Sequence, residues 1–156
     1  MKTKLLVVGK TNDKNITKGI DDYVGRVKHY MPFDIEVIPE LKNTKSLTKS
    51  NQKEMEAEQI LKRLQPSDTV VLLDEHGKEY RSIEFARWIE KLQQTARSLV
   101  FIIGGPYGFA DSVYERSDAK LSLSKMTFSH QMIRLLFVEQ IYRACTIIKG
   151  EPYHHE

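Results

Sequence analysis

Four short apolar runs punctuate the chain: Leu5–Val8, Ile35–Ile38, Val70–Leu73 and Leu99–Ile103. Each is rich in Val, Ile, Leu or Phe and is bounded by polar residues or glycine, which predicts four β-strands. The first, third and fourth run apolar without alternation, as parallel strands do when helices cover both faces of a sheet; a sandwich would alternate more. The intervening segments repeat at helical spacing. Ile16, Ile20, Tyr23, Val24 and Val27 fall at i, i+4, i+7, i+8 and i+11, and Ala57, Ile60, Leu61 and Leu64 repeat that pattern before Pro66, so both predict amphipathic helices. A third helix is expected from Ser82 as N-cap, with Glu84 in its first turn, Phe85, Ile89 and Leu92 inward and Trp88 near their edge.

Strands alternating with helices imply an α/β layered domain with a mainly parallel sheet and helices on both faces. The polar, lysine-rich stretch Leu41–Ser50 is the candidate for a long mobile loop. The last helix, expected over about Ser129–Lys149, differs from the others. Ile133, Leu136, Phe137, Ile141, Ala144, Cys145 and Ile148 line one side, and Met132, Leu135 and Val138 widen the apolar surface. Such a helix is either central to the monomer or part of a homodimer interface.

A chain of 156 residues is expected to form one domain, 1–156, that buries about 70% of its unfolded surface. No apolar run reaches the roughly 18 residues needed to span a bilayer, and Met1–Gly9 reads as a first strand rather than a secretory signal, so a cytoplasmic protein without membrane contact is expected. The one cysteine, Cys145, sits in an apolar helical pattern and reads as buried filler. A formal net charge of +3 permits an anionic partner without requiring one. Lys42, Lys45, Lys49 and Lys53, and again Lys125, Arg134, Arg143 and Lys149, are basic positions; for the first group a solvated helix face is the preferred reading.

Three segments have the residues for chemistry. Ile102–Gly108 places three glycines and a proline at the end of an apolar strand, where α/β sheets bind ligands; it reads either as a tight turn or as a backbone-lined ligand loop. It lacks the lysine and hydroxyl of a P-loop and the dinucleotide spacing, so phosphate cradling is disfavoured. Leu121–His130 runs into the last helix, with Thr127 or Ser129 as its cap and His130 in the first turn, a structural or functional histidine. The terminal Gly150–Glu156 holds a helix stop, a stiffening Pro152, Tyr153, His154 and His155; it reads as a frayed end or as a base- and phosphate-contacting tail. Adjacent histidines without a Cys or carboxylate cluster give no metal site.

On these residues the chain resembles the RlmH family of small SPOUT-class methyltransferases, which act on a pseudouridine of 23S ribosomal RNA. The likeness covers nearly the whole chain. It is strongest in Leu72-Leu73-Asp74, Ile103-Gly104-Gly105-Pro106-x-Gly108, Leu121-Ser122-Leu123-Ser124 to His130, Tyr142-Arg143-Ala144 and Pro152-Tyr153-His154. The resemblance implies S-adenosylmethionine bound by Leu73, Gly104 and the loop Leu123, Ser124, Lys125, Met126, Thr127 and Phe128. It also implies a carboxyl-terminal trefoil knot, which general topology rules would not predict, and an obligate homodimer whose active site borrows from both chains. Tyr107 and Lys125 fall at positions expected to vary in the family, and His155 stands where another basic residue is common.

The implied reaction is methylation of ring nitrogen 3 of pseudouridine in the assembled ribosome, on a nucleotide flipped out of its stack. That nitrogen is a poor nucleophile until its proton leaves. His130, His154 and the Tyr153 hydroxyl have the chemistry to remove the proton or stabilise the anion, and Arg143 could hold a phosphate or the developing charge. The preferred arrangement sets His154 near the acceptor base, Tyr153 shaping its pocket, and His130 with Arg143 organising the site. Two readings from other classes stand beside it: a noncatalytic RNA- or ribosome-binding protein on the same fold, and an adenine-nucleotide-binding regulatory domain.

Overall fold

Unbroken apolar runs become strands buried on both faces. The computed structural model describes residues 1–42 and 44–155. Strands β1 (Lys2–Val8), β2 (Phe33–Ile38), β3 (Asp68–Glu79), β4 (Ser98–Ile103) and β5 (Ala119–Ser122) form one sheet in the order β2-β1-β4-β3-β5, every neighbouring pair parallel. Helices α1 (Lys14–Val27), α3 (Ser82–Thr95) and α5 (His130–Lys149) cover one face, where they bury Leu5, Val7, Leu99, Phe101 and Leu121. Helices α2 (Lys49–Leu61) and α4 (Asp111–Arg116) cover the other, over Leu6, Val70, Leu72, Val100 and Ile102. The period-two alternation is therefore present but hidden, because both faces are apolar.

The predicted strands and long helices form, with corrections of detail. Ser82 is the first helical residue of α3 rather than its cap: Arg81 is the N-cap, and its N–H donates to the Glu84 carboxylate at 2.7 Å. The Ser82 hydroxyl turns instead to Gln140 of α5, at 2.9 Å. Within Leu41–Ser50, Asn43 lies outside the described residues; of the rest, Thr44–Ser46 form a 3₁₀ turn and Thr48 caps α2, accepting from the Asn51 N–H at 3.0 Å. Ser129, the expected alternative to Thr127, is the cap of α5 and accepts from the Met132 N–H at 3.1 Å.

Helix α5 is central to the monomer. Phe137, Val138, Ile141, Ala144 and Cys145 are buried between α1, α3 and the sheet, and the Phe137 ring meets Phe101 of β4 with centroids 4.8 Å apart. Full burial of one such side chain contributes about 1.5–3 kcal/mol. Cys145 is filler, as expected, and burial pushes its thiol up to about 11. Arg134 is 2% exposed and donates to the Val8 and Gly9 carbonyls at 2.8 Å each and to the Thr11 hydroxyl at 3.0 Å. This guanidinium fastens the start of α5 to the carboxyl end of β1. Among the described residues, no helix is long and apolar enough to cross a membrane.

Candidate active site

A cavity of about 570 Å³ opens beyond the carboxyl ends of β3, β4 and β5. That volume lies within the roughly 300–1,000 Å³ typical of small-ligand sites, and its place is where open α/β sheets bind ligands. A break in the sheet helps to form it. Leu121 pairs with Leu73 and again with Lys78, so the intervening residues leave the ladder, and Asp74, Glu75 and His76 line the cavity. Asp74 is held by the His76 N–H at 2.8 Å and by the hydroxyl of Tyr114, whose pKa burial and this hydrogen bond raise to about 12.

The opposite wall is the segment between β5 and α5. Its own serines shape it: the Ser122 hydroxyl donates to the Ser124 carbonyl at 2.9 Å, and the Ser124 hydroxyl accepts from the Met126 N–H at 3.0 Å. Leu123, Ser124, Met126, Thr127 and Phe128 line the cavity together with Leu73 and Gly104. Lys125 is exposed and does not line it.

The glycine turn owes its composition to what lies around it. A Cβ on Gly104 would stand 2.9 Å from the Phe109 ring, and one on Gly105 would stand 2.5 Å from the Glu56 carboxylate. Neither glycine has positive φ; in this turn only Gly108 does. Glu56 is buried against this turn from α2, and desolvation, opposed by a 3.3 Å hydrogen bond from Gln52, raises its pKa. His130 stands at the cavity rim facing the Gly104 carbonyl; desolvation first, then the Arg134 charge, lowers its pKa.

A second cluster forms at the other end of α5. Gly150, with φ of +71°, ends the helix, and the tail folds back rather than fraying. Glu151 accepts from the Tyr30 hydroxyl at 2.6 Å, and the Tyr153 hydroxyl donates to Glu139 at 3.0 Å and lies 3.4 Å from that of Tyr23. Arg143 grips Glu139 through Nε and one terminal nitrogen, at 3.1 and 2.6 Å, and lies over the Tyr153 ring. Its remaining terminal nitrogen points to Nδ1 of His154 at 3.0 Å. Burial, followed by the hydrogen bonds with Tyr23 and Glu139, raises the pKa of Tyr153.

Arg143, Tyr153 and His154 are therefore brought together, but His130 is not with them. His130 and Arg143 are thirteen positions apart on α5, about 20 Å along the axis. Sequence reasoning missed Asp74, Tyr114 and Phe109 as cavity residues and Glu139 as the brace of the tail. A polar residue directly after the apolar Val70–Leu73 run was the available signal for Asp74; Tyr114 and Phe109 depend on a crossover with no periodicity. Among the described residues, no group of three or more His, Cys, Asp or Glu side chains is placed to hold a metal ion.

Residues 1–154 match the family model described as predicted SPOUT methyltransferase. The chain belongs to the SPOUT methyltransferase family. It is 66% identical to a Bacteroides fragilis protein, 64% to one from Phocaeicola vulgatus and 50% to one from Flavobacterium psychrophilum, over 100% of both chains in each case. Each of these relatives carries the name ribosomal RNA large subunit methyltransferase H.

Proposed function

We propose that this chain, as a single domain over 1–156, transfers a methyl group from S-adenosylmethionine to ring nitrogen 3 of a pseudouridine in 23S ribosomal RNA of the assembled ribosome. It does so in the cytoplasm as a homodimer. The observation that carries this reading is a cavity in a SPOUT chain whose charged lining is acidic. Asp74 and Glu75 line it and, among the described residues, no Lys or Arg does. A cationic sulfonium ligand suits such a lining; a bare phosphate does not.

S-adenosylmethionine would supply an activated methyl group, leaving alignment as the protein's main task. Leu73, Gly104, Leu123, Ser124, Met126, Thr127 and Phe128, which line the cavity, would hold it, and Lys125 lies outside it. The rRNA substrate follows from the names of the relatives. The separation between the cavity and the tail cluster supports a dimer in which His154, Tyr153 and Arg143 of one chain complete the cavity of another. The chain path supports the trefoil knot: from β5 at the sheet edge, the segment to Ser129 returns past Gly104 and delivers α5 between α1 and α3.

Mass spectrometry of 23S RNA from cells lacking the gene, with and without this protein restored, tests the reaction. Loss and recovery of the methyl on that pseudouridine is expected; a methyl that persists in the deletion overturns the assignment. Calorimetry with S-adenosylmethionine separates an enzyme from a noncatalytic ribosome-binding protein, which would not bind it.

A further inference from the structure

We infer that His154 serves as a fixed hydrogen-bond donor to the acceptor base, and that the proton of that base passes to His130. The inference rests on the proposed reaction for its chemistry and on hydrogen-bond direction for its assignment. A guanidinium has donors only, so the 3.0 Å contact from Arg143 to Nδ1 of His154 requires that nitrogen to carry a lone pair. Neutral His154 then bears its proton on Nε2 and presents an N–H outward, not a basic nitrogen. Arg143 is itself fixed by two bonds to Glu139, which makes both positioning residues for the tautomer.

The Tyr153 hydroxyl is committed too. It donates to Glu139 at 3.0 Å, and a phenol must lose its proton before it can serve as a base. His130 differs from both. Arg134 faces it from its own helix, the Gly104 backbone of the β4 loop lies beside its ring, and across the same cavity lie Asp74, Glu75 and His76. A neutral imidazole always keeps one nitrogen as an acceptor, and burial, followed by the Arg134 charge, lowers the pKa of His130 and so favours that neutral form.

The step then balances. Nitrogen 3 gives its proton to His130, and the resulting imide anion spreads onto the two flanking carbonyl oxygens, one of which accepts the Nε2–H of His154 from a second chain. The nitrogen lone pair forms the new N–C bond as the methyl leaves sulfur, and the S–C electron pair stays on sulfur as a neutral thioether. His130 afterwards releases its proton to water.

The test has a spectroscopic and a kinetic arm. Long-range ¹H–¹⁵N correlation on the intact labelled protein should show neutral His154 protonated at Nε2, and Arg143→Met should admit the other tautomer. A proton on Nδ1 in the wild type overturns the inference. With ribosomes as substrate, His154→Gln, whose amide nitrogen reaches the Nε2 position, should keep kcat within about tenfold of wild type, whereas His154→Ala should lose about 10²–10³-fold. Equal loss in the two variants overturns the donor role. The fall of kcat at acid pH should persist in His154→Gln and vanish in His130→Gln; the reverse pattern gives the base role to His154 and overturns the assignment. Absence of methylation by the wild type would instead fail the proposed function, and the spectroscopic arm would still decide the tautomer.

Discussion

Arg134 donates to the main-chain carbonyl of Gly9 across 2.8 Å, joining residues 125 positions apart in the sequence. The same guanidinium serves Val8 and Thr11, so one side chain satisfies the end of β1 where no further strand residue can. Arg134→Met should leave these carbonyls buried and bare at a cost of at least about 2 kcal/mol. Chemical denaturation should show a lower midpoint with an unchanged slope, and the thermal midpoint should fall by roughly 4–8 °C. Arg134→Lys, a single point donor, should recover less than half of the loss.

Gly104 and Phe109 make the next case. Gly104→Ala drives a methyl to within 2.9 Å of the Phe109 ring, a cavity wall, so it should cost about 1–3 kcal/mol and weaken cofactor binding together. Phe109→Leu in the same background should restore part of both. Calorimetric titration alongside melting checks this; an unchanged affinity in Gly104→Ala would return the turn to a purely structural role.

Glu56 sets a pH dependence. Its pKa is raised chiefly by burial, so the folded state favours the protonated acid. Stability is then fully present below the ordinary glutamate range and is lost as pH rises through the elevated folded value. Glu56→Gln, which keeps the shape and removes the ionisation, should raise the melting temperature at pH 7–8 relative to wild type, with the gap closing towards about pH 4. A gap that is constant across that range would mean the carboxyl does not ionise there.

The tail gives a separable phenotype. A chain truncated after Gly150 loses the Tyr30–Glu151 and Tyr153–Glu139 bonds but no cavity residue. It should fold and bind S-adenosylmethionine within about twofold of the full chain, at a cost of about 1–3 kcal/mol in stability, while methylation of ribosomes falls to background. Full activity would remove the tail from the site.

What the sequence disclosed and what it hid follow from the range of the interactions. Val70–Leu73 and Leu99–Ile103 announce buried parallel strands because both faces need apolar residues. The cap at Ser129 is equally local. β5 is only four residues long, with Leu121 its largest apolar side chain, and α4 spans six residues under an alanine cap with no side-chain hydrogen bond, so neither generates a period to detect. The β3 break depends on where Leu121 pairs, which no local pattern encodes. Likewise Tyr153 meets Tyr23 across 130 positions. Family likeness marks His154 as a candidate but not the placement of its proton, which depends on Arg143, eleven positions earlier and brought to Nδ1 only by the fold of the tail.

Helix α5 also acts as a ruler. It fixes both the length and the azimuth between His130 at the cavity rim and the braced Arg143–His154 pair. Adding one alanine between them would lengthen the rod by only about 1.5 Å but would swing one end about 100° around the axis relative to the other. Residues that now face α1 would be turned elsewhere, and two otherwise intact half-sites would fall out of phase. On the proposed mechanism, spacing along this helix is as much a part of the chemistry as the groups at its ends.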